Sequence, residues 1–312
     1  MSLPQLQSVL LPAGAAASAI ASLSWVLIAG ATLIFVGVML LLAWAIQRRS
    51  AGRPVRTRLW LLGGGVLFPL VVLTSLLVWS HTRTPGWLAQ PPPGALIVGI
   101  TAHMWWWEVR YSDPASGENI TLANELHLPV GRPVWMGLSS PDVIHSFWVP
   151  ALGGKMDMLP GRVGHLLVQA DEVGTWRGQC AEYCGEQHAR MALHVLAKPA
   201  AEFDTWLAAQ ARPAAAPSSA LTLRGREAFL AQRCNACHTV RGVAEESRLG
   251  PDLTHVGSRL YLGAGTLANQ PGNMAKWVAH TQAVKPGARM PSSQDMDADT
   301  LQALAAYLEH LK

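Results

Sequence analysis

Cys180-Ala-Glu-Tyr-Cys-Gly-Glu-Gln-His-Ala-Arg-Met191 places two thiols, one imidazole and one thioether within a single short run. The other two cysteines of the chain lie downstream, in the run Cys234-Asn-Ala-Cys-His238. Thiolate, imidazole and a weak axial thioether are the ligands that copper electron-transfer sites use. A Cys-x-x-Cys-His run is the attachment signature of a c-type haem. Both cysteine pairs therefore point to metal chemistry, and the sequence predicts a chain with two redox centres.

The front of the chain is apolar and uncharged. No Asp, Glu, Lys or Arg occurs between Met1 and Gln47, although 14% of the 312 residues are charged. Two stretches, about Ala21–Ile46 and Leu59–Val78, are long and apolar enough to cross a bilayer. A cleavable signal peptide is the competing interpretation, but the basic segment that should precede it is missing and the apolar run is too long. We predict a two-helix transmembrane hairpin over residues 21–80, preceded by an outward tail over residues 1–20.

The connection between the two apolar stretches, residues 47–58, is strongly basic. It holds five arginines, which favour retention on the cytoplasmic side. Both ends of the chain and its soluble domains are then expected on the periplasmic face of a bacterial inner membrane. Without these five, 19 basic residues stand against 20 acidic ones, so the net charge of +4 reflects membrane topology. The basic balance therefore predicts no nucleic-acid partner.

Short runs rich in β-forming residues follow a proline-rich break at residues 91–94. Strands are predicted at Ala95–Thr101, Trp105–Tyr111, Asn119–Leu122, Pro133–Leu138, Val163–Gln169 and His194–Ala197. Short strands separated by Gly and Pro turns are typical of a Greek-key β-barrel or sandwich. A short helix at Glu202–Gln210 is expected to close this domain, which we place at residues 81–210.

The last part of the chain has a helical pattern. An Ala/Pro/Ser-rich linker over residues 211–220 precedes it. Helices are predicted at Leu223–Gln232, Met274–His280 and Asp297–Leu311. They indicate a small all-α domain over residues 221–312, in which the haem signature directly follows the first helix.

A second imidazole, from His145, completes the copper ligand set. If Cys180 and Cys184 bridge two copper ions, each ion takes one terminal nitrogen, from His145 or His188. Met191 and a backbone carbonyl are then the weak axial ligands. Two alternatives stay open. A Cys₂His₂ zinc site uses the same side chains except Met191, and a disulfide between the two cysteines is possible on the oxidising side of a membrane.

Covalent haem attachment requires two thioethers and an adjacent axial imidazole, which Cys234, Cys237 and His238 supply. We expect the sixth iron ligand to be Met290, because it lies in the Pro/Gly-rich run Lys285–Pro291 that can fold over a haem face. His/Met ligation raises the reduction potential into the range of an electron carrier.

Other residues of this domain are interpreted as structural. Met274, at the start of a helix, is expected in the core, and Met296, among aspartates, is expected at the surface. His255 is also expected at the surface. Arg259 is interpreted either as a partner of a haem propionate or as a solvated side chain. The remaining histidines are interpreted as structural: His81, His103, His127, His165, His194, His280 and His310.

Residues 178–191 resemble the CuA loop of cytochrome c oxidase subunit II. Residues 145–147 and 155–162 resemble two upstream segments of that family, and the similarity covers Gln7–Gln210. The resemblance implies a cupredoxin-like domain with a dinuclear copper centre. The ligands it implies are the side chains of His145, Cys180, Cys184, His188 and Met191, and the backbone carbonyl of Glu182.

Further expectations come from this resemblance. The Glu182 carboxylate is expected to face a magnesium site shared with subunit I. Trp105 matches the tryptophan that lies between the incoming cytochrome and the copper, so electrons are expected to enter there. Trp106 and Trp107 are interpreted as buried strand residues. Arg56 stands where many members of the family have a glutamate near a proton-uptake route, and it is interpreted as a topology residue.

Residues 249–253 and 256–259 resemble the haem-edge loop of class I cytochromes c, and this similarity covers Leu221–Lys312. Together the two resemblances imply subunit II of a haem–copper terminal oxidase with a fused cytochrome c domain, the c-aa type. Electrons are then expected to pass from haem to copper and into subunit I, where oxygen is reduced to water and protons are translocated. The implied partners are subunits I and III, membrane lipid, and an external donor, either cytochrome c or an upstream respiratory complex. A nitric oxide reductase subunit and a stand-alone membrane-anchored redox carrier are the alternatives.

Overall fold

The structure, a computed structural model, describes residues 7–48, 56–83, 90–112, 116–117 and 119–312. Most of the predicted cytoplasmic loop, including Arg49 and Arg53, lies outside the described residues, as do the first six residues of the predicted tail. The described residues form two long apolar helices, a β-rich domain and a helical domain, in that order. The predicted fold class is therefore confirmed.

The two apolar stretches are both helical. The first is α1 (Ala15–Arg48). The second combines α2 (Thr57–Leu59), a π-helical segment (Trp60–Leu67) and α3 (Phe68–Arg83). Pro69 has no N–H to bond to the carbonyl four residues back, and the helix widens to π spacing just before it. Large apolar side chains are exposed along both helices, which suits a lipid environment rather than water.

The N-terminal end of α1 is tied to the β-rich domain. The Ala13 N–H donates to the Ala151 carbonyl at 2.7 Å, and the Asp171 N–H donates to the Ala13 carbonyl at 2.8 Å. A Cβ on Gly14 would lie only 2.2 Å from the Gln169 carbonyl oxygen, so this position needs glycine. The same domain also follows α3 in the chain, so both apolar helices are connected to it.

The β-rich domain is a sandwich of two five-stranded sheets. The strands are β1 (Leu96–His103), β2 (Trp106–Ser112), β3 (Asn119–Ala123), β4 (Glu125–Pro129), β5 (Val134–Ser139), β6 (His145–Trp148), β7 (Met156–Met158), β8 (Gly164–Val168), β9 (Gly174–Cys180) and β10 (Ala192–Lys198). The strand order is β3-β2-β1-β5-β8 in one sheet and β4-β10-β9-β6-β7 in the other. The β1–β5 and β10–β4 pairs are parallel and the other pairs are antiparallel, so connections cross between the sheets as in a Greek key.

Four strands, β4, β6, β7 and β9, are absent from the sequence prediction. Two of them, β6 and β9, pair directly with each other, with Phe147 opposite Cys180. The copper loop (residues 180–191) therefore connects β9 to β10 at one end of the second sheet, beside the start of β6. The helix α4 (Ala200–Gln210) follows β10 and closes the domain.

The C-terminal domain is built from short helices around one core. Its elements are α5 (Ala220–Ala231), α6 (Asn273–Ala279), α7 (Thr281–Val284), α8 (Ala298–His310) and the two-stranded β11 (Tyr261–Leu262) and β12 (Leu267–Ala268). The helices α5 and α8 approach closely, because a Cβ on Gly225 would lie 2.0 Å from the Ala303 carbonyl oxygen. Phe229 and Tyr307 are fully buried between them, with ring centroids 6.1 Å apart.

The predicted linker, residues 211–220, lies against the C-terminal domain. The Ala214 N–H donates to the Arg241 carbonyl at 3.0 Å. The Arg241 guanidinium donates to the carbonyls of Gln210 and Ala211, at 2.6 and 3.3 Å. The linker ends at Ser219, which caps α5 with its hydroxyl. Its backbone is therefore held by hydrogen bonds that composition does not reveal.

Candidate copper centre and haem-binding motif

The structure brings together all six residues that were predicted to bind copper. The Cys180 and Cys184 sulfurs lie 3.7 Å apart. The other four donors each lie near one of these sulfurs. The distances are 3.7 Å from His145 Nδ1 to Cys180, 3.1 Å from the Glu182 carbonyl to Cys180, 3.7 Å from His188 Nδ1 to Cys184, and 3.9 Å from Met191 Sδ to Cys184. The sulfur pair thus lies at the centre of the donor set.

The donor atoms form two ends rather than one tetrahedron. The donors of His145, Cys180 and Cys184 all lie within 4.8 Å of one another, and His188 is not part of that group. His188 joins the site through Cys184 at the opposite end. One zinc ion needs four ligand atoms around a single point, whereas two ions bridged by the sulfurs need one nitrogen at each end. In the structure the two imidazole nitrogens lie at opposite ends of the sulfur pair.

The two sulfurs are free thiols in the structure, since a disulfide would require an S–S distance near 2.0 Å. A proton held between sulfurs 3.7 Å apart stabilises one thiolate at the expense of the other. The neighbouring thiol lowers the pKa of Cys180, and the same contact raises the pKa of Cys184. A soft cation can replace this proton and stabilise both thiolates at once.

Asp142 holds the imidazole of His145 in place. Its Oδ1 lies 2.9 Å from His145 Nε2, which turns Nδ1 toward the sulfurs. The same carboxylate accepts hydrogen bonds from the backbone N–H groups of Met104 and Val143, at 2.8 and 2.7 Å. Burial alone would raise the pKa of Asp142, but these hydrogen bonds lower it below its usual value. The residue therefore links the copper ligands to the segment that carries Trp105.

Trp105 contacts the copper loop directly. Its indole Nε1–H donates to the Cys184 carbonyl at 2.8 Å. Of the two neighbouring tryptophans, Trp107 is fully buried in the sandwich core, and Trp106 is half-buried and stacks on His103 at 4.4 Å. The structure therefore distinguishes Trp105 from the other two tryptophans by its hydrogen bond to the backbone carbonyl of Cys184.

The haem motif (residues 234–238) leads into a tight turn. His238 Nδ1 lies 2.8 Å from the Pro251 carbonyl, so Nδ1 carries the proton and Nε2 is available as a ligand. A Cβ on Gly250 would lie 2.7 Å from the His238 ring, so glycine is needed at this contact. Burial lowers the pKa of His238, which favours the neutral imidazole that a metal requires. Cys237 is exposed and Cys234 half-buried, so both thiols can be reached.

The methionine loop (residues 285–291) is shaped by a side chain that sequence reasoning missed. Gln282 donates from Nε2 to the carbonyls of Ala288 and Met290, at 2.6 and 2.7 Å. Its Oε1 accepts from the Gly287 N–H at 3.0 Å. Met290 packs half-buried against the domain core, whereas Met274 is buried inside it, as expected. Of these two methionines, Met290 is the one presented by a loop.

Two expectations for the C-terminal domain were wrong, and one alternative for a third residue is disfavoured. Met296 is half-buried and packs against the core, although the surrounding aspartates suggested exposure. His255 is buried, with Nε2 3.2 Å from the Arg212 carbonyl of the linker. Arg259 is half-buried, and its guanidinium donates to the Asp252 carbonyl, which disfavours the freely solvated alternative. The contact of His255 joins it to a segment 43 residues away.

Several histidines interpreted as structural form aromatic stacks. His127 stacks on Trp206 at 3.8 Å, His165 on Trp135 at 5.2 Å, and His194 on Tyr261 at 4.3 Å. Within the described parts of the chain, the only group of three or more histidine, cysteine or acidic side chains with metal-binding spacing is the one around Cys180.

Glu182 presents its two oxygen-bearing groups to different surroundings. Its backbone carbonyl faces Cys180, while its carboxylate is exposed and lies 4.0 Å from the Lys155 ammonium. That ammonium also lies 3.7 Å from the Asp157 carboxylate. The carboxylates of Glu182 and Asp157 therefore both lie near the same exposed lysine.

Comparison with known proteins identifies both domains. Residues 114–198 match the family described as "Cytochrome C oxidase subunit II, periplasmic domain", and residues 222–312 match "Cytochrome c". Cytochrome c oxidase subunit 2 of Alkalihalophilus pseudofirmus is 35% identical over 251 residues, 79% of this chain and 71% of that protein. The Bacillus subtilis protein is 32% identical over 228 residues, 70% of this chain and 63% of that protein. A crystal structure of the periplasmic domain of subunit II of cytochrome oxidase of Bradyrhizobium japonicum is 29% identical, and the match covers 39% of this chain and 96% of that one with a TM-score of 0.36.

The two matched regions contain the two candidate sites separately. The first includes the copper loop and His145, and the second includes the haem motif and Met290. They imply copper in the β-rich domain and haem in the helical domain, and the two apolar helices make the protein membrane-anchored. The chain belongs to the cytochrome c oxidase subunit II family, and it carries a cytochrome c domain after the copper domain.

Proposed function

We propose that this chain is the electron-transfer subunit of a haem–copper terminal oxidase. Electrons pass from a haem in the C-terminal domain to a dinuclear copper centre in the β-rich domain, and then to subunit I. The contact between the two domains carries this proposal. A Cβ on Gly287, in the methionine loop, would lie 3.6 Å from Trp105 Cη2, and the indole of Trp105 donates to the Cys184 carbonyl. One aromatic ring thus touches the loops of both centres.

The residues around the sulfur pair fit a dinuclear copper centre. Cys180 and Cys184 would hold the copper through their thiolates, and His145 and His188 would hold it through their imidazole nitrogens. Met191 and the Glu182 carbonyl would be the weak ligands. Buried sulfur donors select a soft metal such as copper, and the thioether favours copper over zinc. When bound, the copper pair supplies a one-electron relay.

The protein keeps this site rigid and dry. His145, Cys180, Cys184 and Met191 are all buried. Asp142 fixes the orientation of the His145 ring, and Trp105 fixes the carbonyl beside Cys184. Ligands held on all sides move little when charge arrives or leaves, so less reorganisation opposes each electron transfer.

The haem motif fits a covalently attached haem. Cys234 and Cys237 would attach the haem through two thioether bonds, and His238 and Met290 would hold its iron. The hydrogen bond from His238 to Pro251 sets the tautomer that leaves Nε2 free for iron. A bound haem would supply a one-electron carrier for an external donor, cytochrome c or an upstream respiratory complex.

The membrane hairpin places both centres beside the oxidase core. We assign the soluble domains and both chain ends to the periplasmic face of the bacterial inner membrane, in contact with lipid, subunit I and subunit III. Subunit I reduces oxygen to water and translocates protons. The exposed carboxylate of Glu182 is assigned to a magnesium site shared with subunit I.

Metal and spectral analysis of the purified complex tests this function. We expect two copper ions per covalent haem c in this subunit, and a copper EPR signal with hyperfine coupling to two equivalent nuclei. Replacing Cys184 by Ser should abolish the paired signal. The control replaces the exposed Ser116, which is not one of the proposed copper or haem ligands, by Ala. This variant should preserve the paired copper signal.

Three results contradict the proposal. A single zinc ion, or the EPR signal of one isolated copper ion, rules out the dinuclear centre. A chain that purifies without a large polytopic partner is a stand-alone carrier instead. If the partner reduces nitric oxide and not oxygen, the subunit belongs to the alternative reductase, with its own electron path unchanged.

A further inference from the structure

Lys285 is buried between the two soluble domains, at 3% exposure. Its ammonium donates three hydrogen bonds to backbone carbonyls. The acceptors are Trp105 and Arg190 of the copper domain, at 2.8 and 2.9 Å, and Gly263 of the haem domain, at 2.8 Å. One side chain thus binds the electron-input tryptophan, the end of the copper loop and its own domain.

Burial lowers the pKa of Lys285 to about 7, but the three carbonyl acceptors favour its protonated form. A neutral amine has two N–H groups and a lone pair, and that lone pair would face the third carbonyl oxygen. Hydrogen bonds to a charged group are also stronger than those between neutral groups. Among the described residues, no carboxylate forms an ion pair with Lys285. The charge is therefore stabilised by carbonyls of both domains, and separating the domains would remove two of the three.

Other hydrogen bonds between the two domains lie near this lysine and fix the same relative orientation of the domains. The Arg190 guanidinium donates to the Val284 carbonyl at 2.9 Å, and the Ala192 N–H donates to the Ala264 carbonyl at 3.1 Å. Farther along the interface, the Leu260 N–H donates to a Glu125 carboxylate oxygen at 2.5 Å. These contacts involve backbone groups at fixed positions, so they define one orientation and not merely proximity.

The consequence concerns the methionine loop. Lys285 begins this loop, and Gly287, two residues later, lies against both Trp105 and the Glu186 side chain. Anchoring Lys285 to the Trp105 carbonyl therefore holds the loop beside the Trp105 ring, whose Nε1–H donates to the Cys184 carbonyl.

We propose that Lys285 is a positioning residue for electron transfer, which locks the haem domain onto the copper domain with the methionine loop against Trp105. This inference rests on the proposed function. It goes further by assigning the docking to one side chain and by committing Trp105 to the haem of the same chain.

The test compares the intact complex with the variant Lys285→Met. Two measurements are made: relaxation of the copper EPR signal by the ferric haem, which reports the distance between the centres, and copper reduction after photoreduction of the haem. Losing one charged hydrogen-bond donor should lower the docking equilibrium constant about tenfold or more. The relaxation enhancement should fall, and a second, slower phase of copper reduction should appear.

The control is Arg224→Met, which removes the same charge from an exposed position on α5 and should change neither measurement. If Lys285→Met does not assemble with both cofactors, Lys285→Gln keeps two N–H donors on a shorter side chain and should show the same changes. If an assembled variant shows an unchanged relaxation rate of the copper EPR signal and a single fast phase of copper reduction, Lys285 does not have the proposed positioning role. If the wild-type chain itself shows no transfer from haem to copper, the proposed function fails instead.

Discussion

Replacing Asp142 by Asn should weaken copper binding without unfolding the domain. The carboxylate accepts from four donors: His145 Nε2 at 2.9 Å, the Met104 and Val143 N–H groups at 2.8 and 2.7 Å, and the Ser140 hydroxyl at 3.3 Å. Asparagine has the same shape but only one oxygen. Its NH₂ group must therefore face a donor on one side, either His145 or Met104.

The size of the effect follows from the lost hydrogen bond. A hydrogen bond to a charged group contributes about 1.5–3 kcal/mol, which corresponds to a factor of about 10 to 150 in an equilibrium constant. Loss of a residue that orients a metal-binding histidine typically lowers metal affinity by about 10–100-fold. The two estimates agree, so we expect copper affinity to fall by one to two orders of magnitude.

Competition with a copper chelator measures this change. The control is Asp204→Asn, the same substitution at an exposed position on α4, which should leave the affinity unchanged. Thermal unfolding of the copper-depleted protein shows whether the variant still folds. An Asp142→Asn protein that folds and retains wild-type copper affinity would refute the role assigned to this carboxylate.

Three other predictions concern separate parts of the chain. Replacing Met290 by Ala should lower the haem reduction potential and abolish the thioether-to-iron absorption band, and if Met274→Ala does so instead, the axial assignment is wrong. Replacing the fully buried Phe229 by Ala should lower the free energy of unfolding of the haem domain by about 3–5 kcal/mol in denaturant titration. Burial lowers the pKa of His127, partly offset by Glu125, so the unfolded state binds its proton at higher pH than the folded state. The free energy of unfolding should therefore decline below about pH 6.5. The decline should be less steep in His127→Gln. Equal slopes of unfolding free energy against pH in the two proteins would contradict this.

The sequence could suggest the candidate copper ligands that the structure brings together because most of them are local. Five of the six lie in the copper loop, one of them through its backbone carbonyl, at spacings that one loop can close. Asp142 was missed because an aspartate three residues before a histidine has many ordinary roles. Only the structure shows it reaching both His145 and the backbone of Met104, 38 residues away.

The strands that were missed lack a clear strand signal for different reasons. β4 alternates polar and apolar residues, but it has only five residues and ends at Pro129, which weakens the strand signal. β6 and β7 have only four and three residues, too few to establish a period. β9 carries Arg177 and Gln179 between buried positions, and its glycines weaken the strand signal. The sandwich could be predicted from the other strands, but the position of the site between β6 and β9 could not.

The domain interface was also beyond sequence reasoning. Lys285 lies 180 residues from Trp105, and the run that contains it was interpreted only as the source of an axial methionine. Likewise, the linker composition indicates a chain with few contacts of its own. It cannot show that Arg241 and His255 bind its carbonyls. Such contacts depend on how two folded units meet.

These contacts change the role of the linker. A flexible tether would keep the haem domain near the copper domain at an effective concentration on the order of millimolar, but it would leave the orientation free. Electron transfer falls steeply with distance, so the face presented to Trp105 matters more than proximity. Lys285 and Met290 belong to one loop, shaped by Gln282. With the roles proposed above, the same loop would both complete the haem site and fix the docking. A substitution at Met290 that disorders the loop should also release Lys285, so its effect on copper reduction should exceed that expected from the potential alone.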